Sequence, residues 1–556
     1  MLEFYAKMNI NNATTAYKGL SNDCFRLDYS EENGRIKGVF TAKRNMILIE
    51  ARLTCSMRFG ENDLFFANGY QSWTTSREYS KSDKAEGIMR VSNITGYTRS
   101  LTGIAGDYSF TDYGKRGCFH SHTYCYIRKK NSEDIVLYGS RSEENGFTIF
   151  EADMVRGGFV IKKDVSGLTL TAGREYTLFD IAVIKDEYNK AFDRYFFDFM
   201  GLKKPRLSHL SGYTSWYNYF QNINEEIILR DLNSLQRAEC ADVFQVDDGY
   251  ESAVGDWLIP DSKKFPNGMK YIADKIHEKN FGAGIWLAPF NAQKSSKILK
   301  KHPDWVIKDN IHGNPLLGCV GWGGAYTFDI YNEEFREYLK EVFDTVFNDW
   351  GFDMVKLDFL YSQCMQPRNG KTRGEIMCDA VKLLRSLCGD KLILGCGVPL
   401  GACMGVFDAC RIGCDVDKSY KSALNLLGVN REVPSSPNAI NNTIFRRHLD
   451  GRAFLNDPDV FFLRKNNISY TEEQKLLHGK VNALCGSVQF VSDDMGGYDS
   501  KTLEIVKKLF DKRQGKVTSA QYESAEVVRL CFKEKGREKS LTFNIKNGKS
   551  NIGDVF

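Results

Sequence analysis

One pattern recurs from residue 208 to residue 513 and limits what the chain can become: a short apolar run, polar residues crowded at its end, then an amphipathic helix. The runs fall at 212–216, 243–246, 282–287, 354–357, 392–396, 409–412, 453–455 and 488–492. Helical periodicity marks 224–236, 269–279, 332–350, 374–387, 441–449, 472–483 and 503–512. Short β-branched and apolar runs alternating with helices read as buried parallel strands. Eight of them is the count for a closed (β/α)8 barrel of the TIM type. A doubly wound open sheet is the competing arrangement, but no glycine-rich dinucleotide turn follows the first strand.

The flanking regions read differently. Residues 1–205 hold short alternating segments such as Ile36-Lys-Gly-Val-Phe40, separated by Gly, Asn and Asp turns, which predicts an N-terminal β-sandwich. Lys203-Lys-Pro-Arg206 reads as a junction to the barrel over 206–513. Alternation returns in 514–556, giving a small C-terminal antiparallel β domain. The chain is thus expected to be a multidomain α/β protein, as 556 residues exceed one ordinary domain.

Composition narrows the functional classes. A net charge of +4, with basic and acidic residues interleaved, gives no footprint for nucleic acid or for a membrane surface. No run approaches the roughly 18 apolar residues of a spanning helix, and the first twenty residues lack a secretory apolar core. Fifteen cysteines, an odd number set mostly in apolar runs, read as buried free thiols of a reducing, cytoplasmic compartment.

In a parallel barrel the strand C-termini meet at one mouth, where the chemistry of such folds resides. The run Gly351-Phe-Asp-Met-Val-Lys-Leu-Asp358 ends in a lysine and a carboxylate, which makes Asp358 the first catalytic candidate. The other strand ends add Trp216 and Tyr217, Asp247 and Asp248, Trp286, Lys356, Cys396, Arg411 and Asp415, Asp457, and Asp493 and Asp494. Carboxylates that grip hydroxyl groups, aromatic planes for a ring face and two acids for a displacement suit a sugar site. Any one of these aspartates could instead cap a loop.

Seven motifs in order then carry a resemblance. Phe244-Gln-Val-Asp-Asp-Gly-Tyr250, Gly255-Asp-Trp257, Phe281-Gly-Ala-Gly-Ile-Trp-Leu-Ala-Pro289, His302-Pro-Asp-Trp305, Lys356-Leu-Asp-Phe359, Ile393-Leu-Gly-Cys-Gly397 and Arg411-Ile-Gly-Cys-Asp415 resemble glycoside hydrolase family 36, and the likeness extends from Asn68-Gly-Tyr-Gln-Ser-Trp73 through Phe454-Leu-Asn-Asp-Pro-Asp459. This family comprises retaining α-galactosidases and α-N-acetylgalactosaminidases, and the short bacterial branch is the nearer match. The resemblance implies Asp358 as nucleophile and Asp415 as acid/base, with Asp417 the competing acid. It implies Asp247 and Asp248 on the 4- and 6-hydroxyls, Arg411 and Cys396 near the 2-position, Trp286 and Tyr217 as walls, and Trp73 closing the side. Lys356 is expected to keep Asp358 ionised. Cys414 stands where the family has proline and Tyr420 where a larger aromatic is usual, both in the loop expected to flank the 2-substituent.

The expected substrate is a small α-galactoside or α-N-acetylgalactosaminide, with no cofactor, and self-association is left open. Asp353, at the entrance of its strand, reads as structural. Asp457, Asp493 and Asp494 read as supporting residues. Cys118, His120 and His122 share one side of an extended segment, but no Cys-x-x-Cys pair accompanies them, so they read as ordinary strand residues with no metal. A non-catalytic sugar-binding barrel and a metal-dependent hydrolase are the competing functions.

Overall fold

The computed structural model describes residues 3–85, 87, 103–420, 432–511 and 515–556. The expected 513/514 domain boundary and the last residue of the 503–512 helix lie outside them. The chain divides into two compact units. One comprises Met1–Lys203 with Gln363–Lys382 and Pro399–Met404, and the other holds the remainder.

The first unit is a β-sandwich of two antiparallel seven-stranded sheets. Alternation along its strands explains the layering: Glu3–Ile10 buries Phe4, Ala6 and Met8 and turns the intervening residues outward. The core is rich in phenylalanine, and Phe25 stacks on Phe40 at 5.0 Å and meets Phe4 edge-on at 5.8 Å.

The second unit is built on eight parallel strands: β1 (Leu210–Thr214), β2 (Val243–Val246), β3 (Gly282–Leu287), β4 (Met354–Leu357), β5 (Leu392–Gly395), β6 (Ala409–Arg411), β7 (Leu455–Asp457) and β8 (Val488–Val491). They pair in sequence order from β1 to β7, and β8 pairs with β1. The gap between β7 and β8 is drawn together by the Ser487 amide donating to the Asn456 carbonyl at 3.2 Å. This is the expected barrel. β1 begins two residues earlier than its sequence pattern suggested, and β7 two residues later, so Asp457 closes a strand instead of following one.

Helices α1 (Glu225–Leu235), α2 (Gly268–Glu278), α3 (Glu333–Asp344), α4 (Arg373–Cys388), α5 (Ser436–Phe445), α6 (Glu472–Cys485) and α7 (Ser500–Phe510) follow the strands. After β5 the chain forms only the four-residue helix Leu400–Cys403, so one strand lacks a full helical partner. Several helix starts are sealed by side chains as their sequences suggest. Asn224, Asn332 and Ser435 each accept an amide hydrogen bond, and Thr471 with Gln474 forms a reciprocal capping pair.

Three antiparallel strands, Lys516–Tyr522, Val527–Glu534 and Arg537–Asn544, complete the second unit. They lean on the barrel helices through Tyr522, whose ring stacks on Phe445 at 5.3 Å and whose hydroxyl donates to the Asn441 side chain at 2.8 Å. All fifteen cysteines are free thiols. Among the described residues no helix is long and apolar enough to cross a membrane.

Within α6, His478 is fully buried and neither ring nitrogen has a hydrogen-bond partner, so burial drives its pKa down to about 4. A histidine titrating lower in the folded than in the unfolded chain favours folding above pH 6.5 and withdraws that stability as pH falls toward 4. The withdrawal amounts to about 3 kcal/mol. His478→Leu is therefore expected to narrow the difference between urea midpoints at pH 7 and pH 5, measured by circular dichroism.

Candidate active site

The barrel gathers most of the expected side chains at the C-terminal ends of its strands. Asp358 directly follows β4, and its amide donates to the Leu287 carbonyl at the end of β3 at 2.9 Å. The Trp286 indole donates to one carboxylate oxygen at 3.1 Å, and the Phe359 amide to the other at 2.8 Å. Phe359 takes a φ of +55°, a strained conformation for a bulky residue. That turn is what allows its amide to fold back on Asp358. Burial pushes the Asp358 pKa up. The charge of Lys356 and hydrogen bonds from Trp286 and Cys396 oppose this, while the negative charge of Asp415 adds to it.

Lys356, expected to keep Asp358 ionised, acts on it through charge at a distance and makes its direct pair elsewhere. Its ammonium sits 2.8 Å from Asp247, both groups nearly inaccessible. Burial disfavours the lysine's charge, but Asp247 outweighs it and keeps the ammonium protonated. Asp247 is correspondingly held below the usual carboxylate range against the pull of burial. Its oxygens accept from Lys356, Gln245, Thr214 and the Asp248 amide. Three of these bonds fall on Oδ2 and one on Oδ1, so Asp247 organises the site through Oδ2 and keeps acceptor capacity on Oδ1.

Asp248 faces a different set. Its oxygens accept from the Gln221 amide at 3.1 Å and from the Trp322 indole at 2.9 Å. Neither donor was expected from the sequence. Trp322 lies within a three-stranded insertion after β3 made of Asn291–Gln293, Leu317–Cys319 and Ala325–Thr327. It has a φ of +56° and is followed by Gly323 and Gly324 at +74° and +99°. These conformations turn the tip of the hairpin so that the indole lies 5.0 Å from the Phe359 ring and 5.9 Å from Trp286. The run Gly321-Trp-Gly-Gly324 was the available signal, and it carries no catalytic residue type.

Asp415, four residues beyond β6, keeps a side chain 36% exposed, and Arg411 donates to it at 2.8 Å. Arg411 is fully enclosed and also meets Asp457 at 3.2 Å and Asp459 at 2.9 Å. Asp459 completes a ring by accepting from the Tyr217 hydroxyl and from the Val416 amide at 2.9 Å. Burial drives the Asp459 pKa up to about 7, with Arg411 opposing and Asp415 and Asp457 assisting. Asp459 was legible only as the last letter of a motif, because nothing local in sequence announces a partner 48 residues upstream. Asp417 instead caps its own loop, accepting from the Ser419 amide at 3.4 Å.

The remaining expectations divide. Cys396, just past β5, is buried and bonds to Asp358, and burial pushes its thiol well up. Tyr217 is buried beside Arg411 as a hydrogen-bonding element, with its hydroxyl 3.4 Å from the guanidinium. The Tyr420 hydroxyl donates to the Ile545 carbonyl and its ring meets Tyr470. Cys414 is buried with its thiol directed at the Ser435 carbonyl at 3.6 Å. Asp353 binds His277 and Lys391 at the opposite end of β4. Asp493 is taken up by Arg464, and Asp494 accepts from the Gly496 amide. Trp73 belongs to the sandwich unit, half-buried, its amide donating to Gln71 at 3.1 Å.

A β-sandwich with a (β/α)8 barrel whose strand ends hold two interacting carboxylates, an arginine and aromatic planes has the architecture of a barrel glycosidase. Residues 213–378 match the family model described as Melibiase. The chain resembles the α-galactosidases of glycoside hydrolase family 36, and its fold is that of their solved structures. TtGalA, an α-galactosidase from Thermus thermophilus solved in complex with p-nitrophenyl α-D-galactopyranoside, superposes with a TM-score of 0.71. It is 22% identical, over 96% of this chain and 98% of that one. AgaA, a family 36 α-galactosidase from Geobacillus stearothermophilus, gives a TM-score of 0.61 at 11% identity, over 97% of this chain and 80% of that one.

Sequence relatives include an A type blood α-D-galactosamine galactosaminidase from Flavonifractor plautii, 28% identical over 31% of this chain and 16% of its own length. The α-galactosidase Mel36A from Lactobacillus acidophilus is 25% identical over 26% and 20%. The matched stretch thus spans a fifth or less of either curated relative.

Removing one partner from a buried ion pair strands the other charge, at a cost of about 3–5 kcal/mol. Lys356→Met is therefore expected to destabilise the protein by that amount, read from denaturant unfolding, and the double variant with Asp247→Asn to recover part of it.

Proposed function

We propose that this protein is a retaining exo-α-galactosidase that releases terminal galactose from small α-galactosides such as those of the raffinose type. The observation that supports it most is that Asp358 and Asp415 follow β4 and β6 of one barrel, at the mouth where the strand ends converge. Each is presented by a different strand, and the charge of one is felt at the other. Two such groups about 5 Å apart suffice for double displacement.

Asp358 attacks the anomeric carbon and forms a glycosyl ester while Asp415 protonates the departing oxygen. Asp415 then takes a proton from water, which cleaves the ester and restores Asp358 with net retention. Attack requires the ionised form of Asp358. Trp286, Cys396 and the nearby charge of Lys356 support that form against burial. Asp248 and Trp322 offer an acceptor and a plane to the distal hydroxyl groups and ring face, and Arg411 positions the acid. The exposed side of Asp415 suits a group that must meet leaving group and water in turn.

A second reading, with N-acetylgalactosamine as the sugar, draws support from the galactosaminidase relative. The free thiols support a reducing compartment, the cytoplasm, as the site of action.

NMR of the first product from p-nitrophenyl α-galactoside is expected to show the α-anomer ahead of mutarotation, and initial β-galactose would overturn the retaining mechanism. Rates on the corresponding acetamido glycoside separate the two sugars. With azide present, Asp358→Gly is expected to yield β-galactosyl azide and Asp415→Ala α-galactosyl azide, and the reverse outcome would exchange their roles. Trp286→Phe removes a hydrogen bond that favours ionised Asp358, so the acid limb of kcat/KM is expected to move to higher pH.

A further inference from the structure

A second cluster of chemically capable groups lies in the sandwich unit. His120 and His122 occupy alternate positions of the strand Cys118–His122 and therefore project to the same face. Both present Nε2 to one carboxylate oxygen of Asp107, each at 2.8 Å. Asp107 and His122 are buried, and the His120 side chain is 9% exposed. One ligand atom from each residue lies within 4.8 Å of the other two. Cys118, the third residue the sequence placed alongside the histidines, is not part of the group. Asp107 takes its place from eleven residues before Cys118, across a turn that no sequence spacing reveals.

From this arrangement we propose that Asp107, His120 and His122 form a binding site for one divalent transition-metal ion, with zinc the best fit. Two imidazoles and a carboxylate suit borderline ions of this kind, whereas calcium and magnesium prefer all-oxygen shells. Ligand atoms around tetrahedral zinc, with bonds of about 2.0–2.1 Å, lie about 3.3 Å apart. The two 2.8 Å separations from Asp107 to the histidines thus need to open by about half an ångström, within the reach of side-chain torsions.

The shell is oriented in advance. The Tyr113 hydroxyl donates to the other oxygen of Asp107, which turns Oδ2 toward the histidines. The Tyr113 ring meets His120 edge-on at 4.7 Å, and Tyr70 meets His122 at 5.2 Å. Nδ1 of His122 has no hydrogen-bond partner, so aromatic packing and Nε2 fix that ring. His120 also lines a cavity of about 380 Å³ together with Tyr108, Tyr113 and Glu151, so one of the three ligands borders open space.

The backbone of His122 is paired in both directions with Asn68, at 3.0 Å from its amide to the Asn68 carbonyl and 3.0 Å from the Asn68 side chain to its own carbonyl. A bound ion would therefore tie down the base of the 68–73 loop. Its role is structural, independent of the barrel carboxylates.

The test is metal binding by the full-length protein, purified without a metal-affinity step and stripped with chelator. One equivalent of Co2+ is expected to bind with visible d–d absorption, to be displaced by Zn2+, and to raise Tm by several degrees. His120→Gln and Asp107→Asn should lose both the spectrum and the shift, while Cys118→Ser keeps them. If the wild-type protein gives neither spectrum nor Tm shift, or if His120→Gln keeps both, the site is a hydrogen-bonded ion cluster and the proposal fails.

Discussion

A single guanidinium holds three carboxylates in the barrel mouth, and the rest of the site is arranged around that imbalance. Arg411 contacts Asp415, Asp457 and Asp459 from a position closed to solvent. One positive charge cannot neutralise three negative ones, and low local polarity makes the shortfall costly. The site relieves it in two ways. Asp459 titrates near neutrality and takes a hydrogen bond from Tyr217, and Asp415 stays partly in water. The group assigned to proton transfer is thereby the one member of the cluster with access to the outside.

The other half of the mouth is balanced differently. Lys356 and Asp247 cancel each other in full burial, and the pair connects β2 to β4 without touching the proposed nucleophile. Asp358 consequently sits between two charge systems. It feels the lysine at a distance and the acid cluster from the other side, while its direct contacts are an indole, a thiol and a backbone amide. A carboxylate so placed can lose its charge on forming an ester with no salt bridge to break, which lowers the reorganisation the reaction demands.

How much of this was readable in the sequence follows from the range of the interactions involved. The barrel was legible because each strand declares itself locally by an apolar run, and strand ends converge by topology alone. Asp358, Trp286, Arg411 and Asp415 were legible for the same reason. What escaped were partners chosen in three dimensions. Lys356 prefers a residue 109 positions away over one two positions away. Trp322 reaches the site by way of an insertion hairpin, and Asp459 finds Tyr217 across 242 positions. The Tyr420 hydroxyl likewise finds its partner far along the chain, at the Ile545 carbonyl just past the last strand. Spacing predicts where backbone goes better than which polar atoms meet.

The discontinuous make-up of the sandwich unit bears on how the chain is assembled. Asp164 forms an enclosed ion pair with Arg373 at 2.7 Å, the Tyr70 hydroxyl meets the Cys364 thiol, and the Thr169 amide bonds the Gly370 carbonyl. They need residues 373, 364 and 370 respectively, so none can form until the ribosome has passed residue 364, well into the barrel. The amino-terminal sheets therefore stay incompletely covered through the synthesis of four barrel strands, and their unit cannot be finished as its first 203 residues emerge.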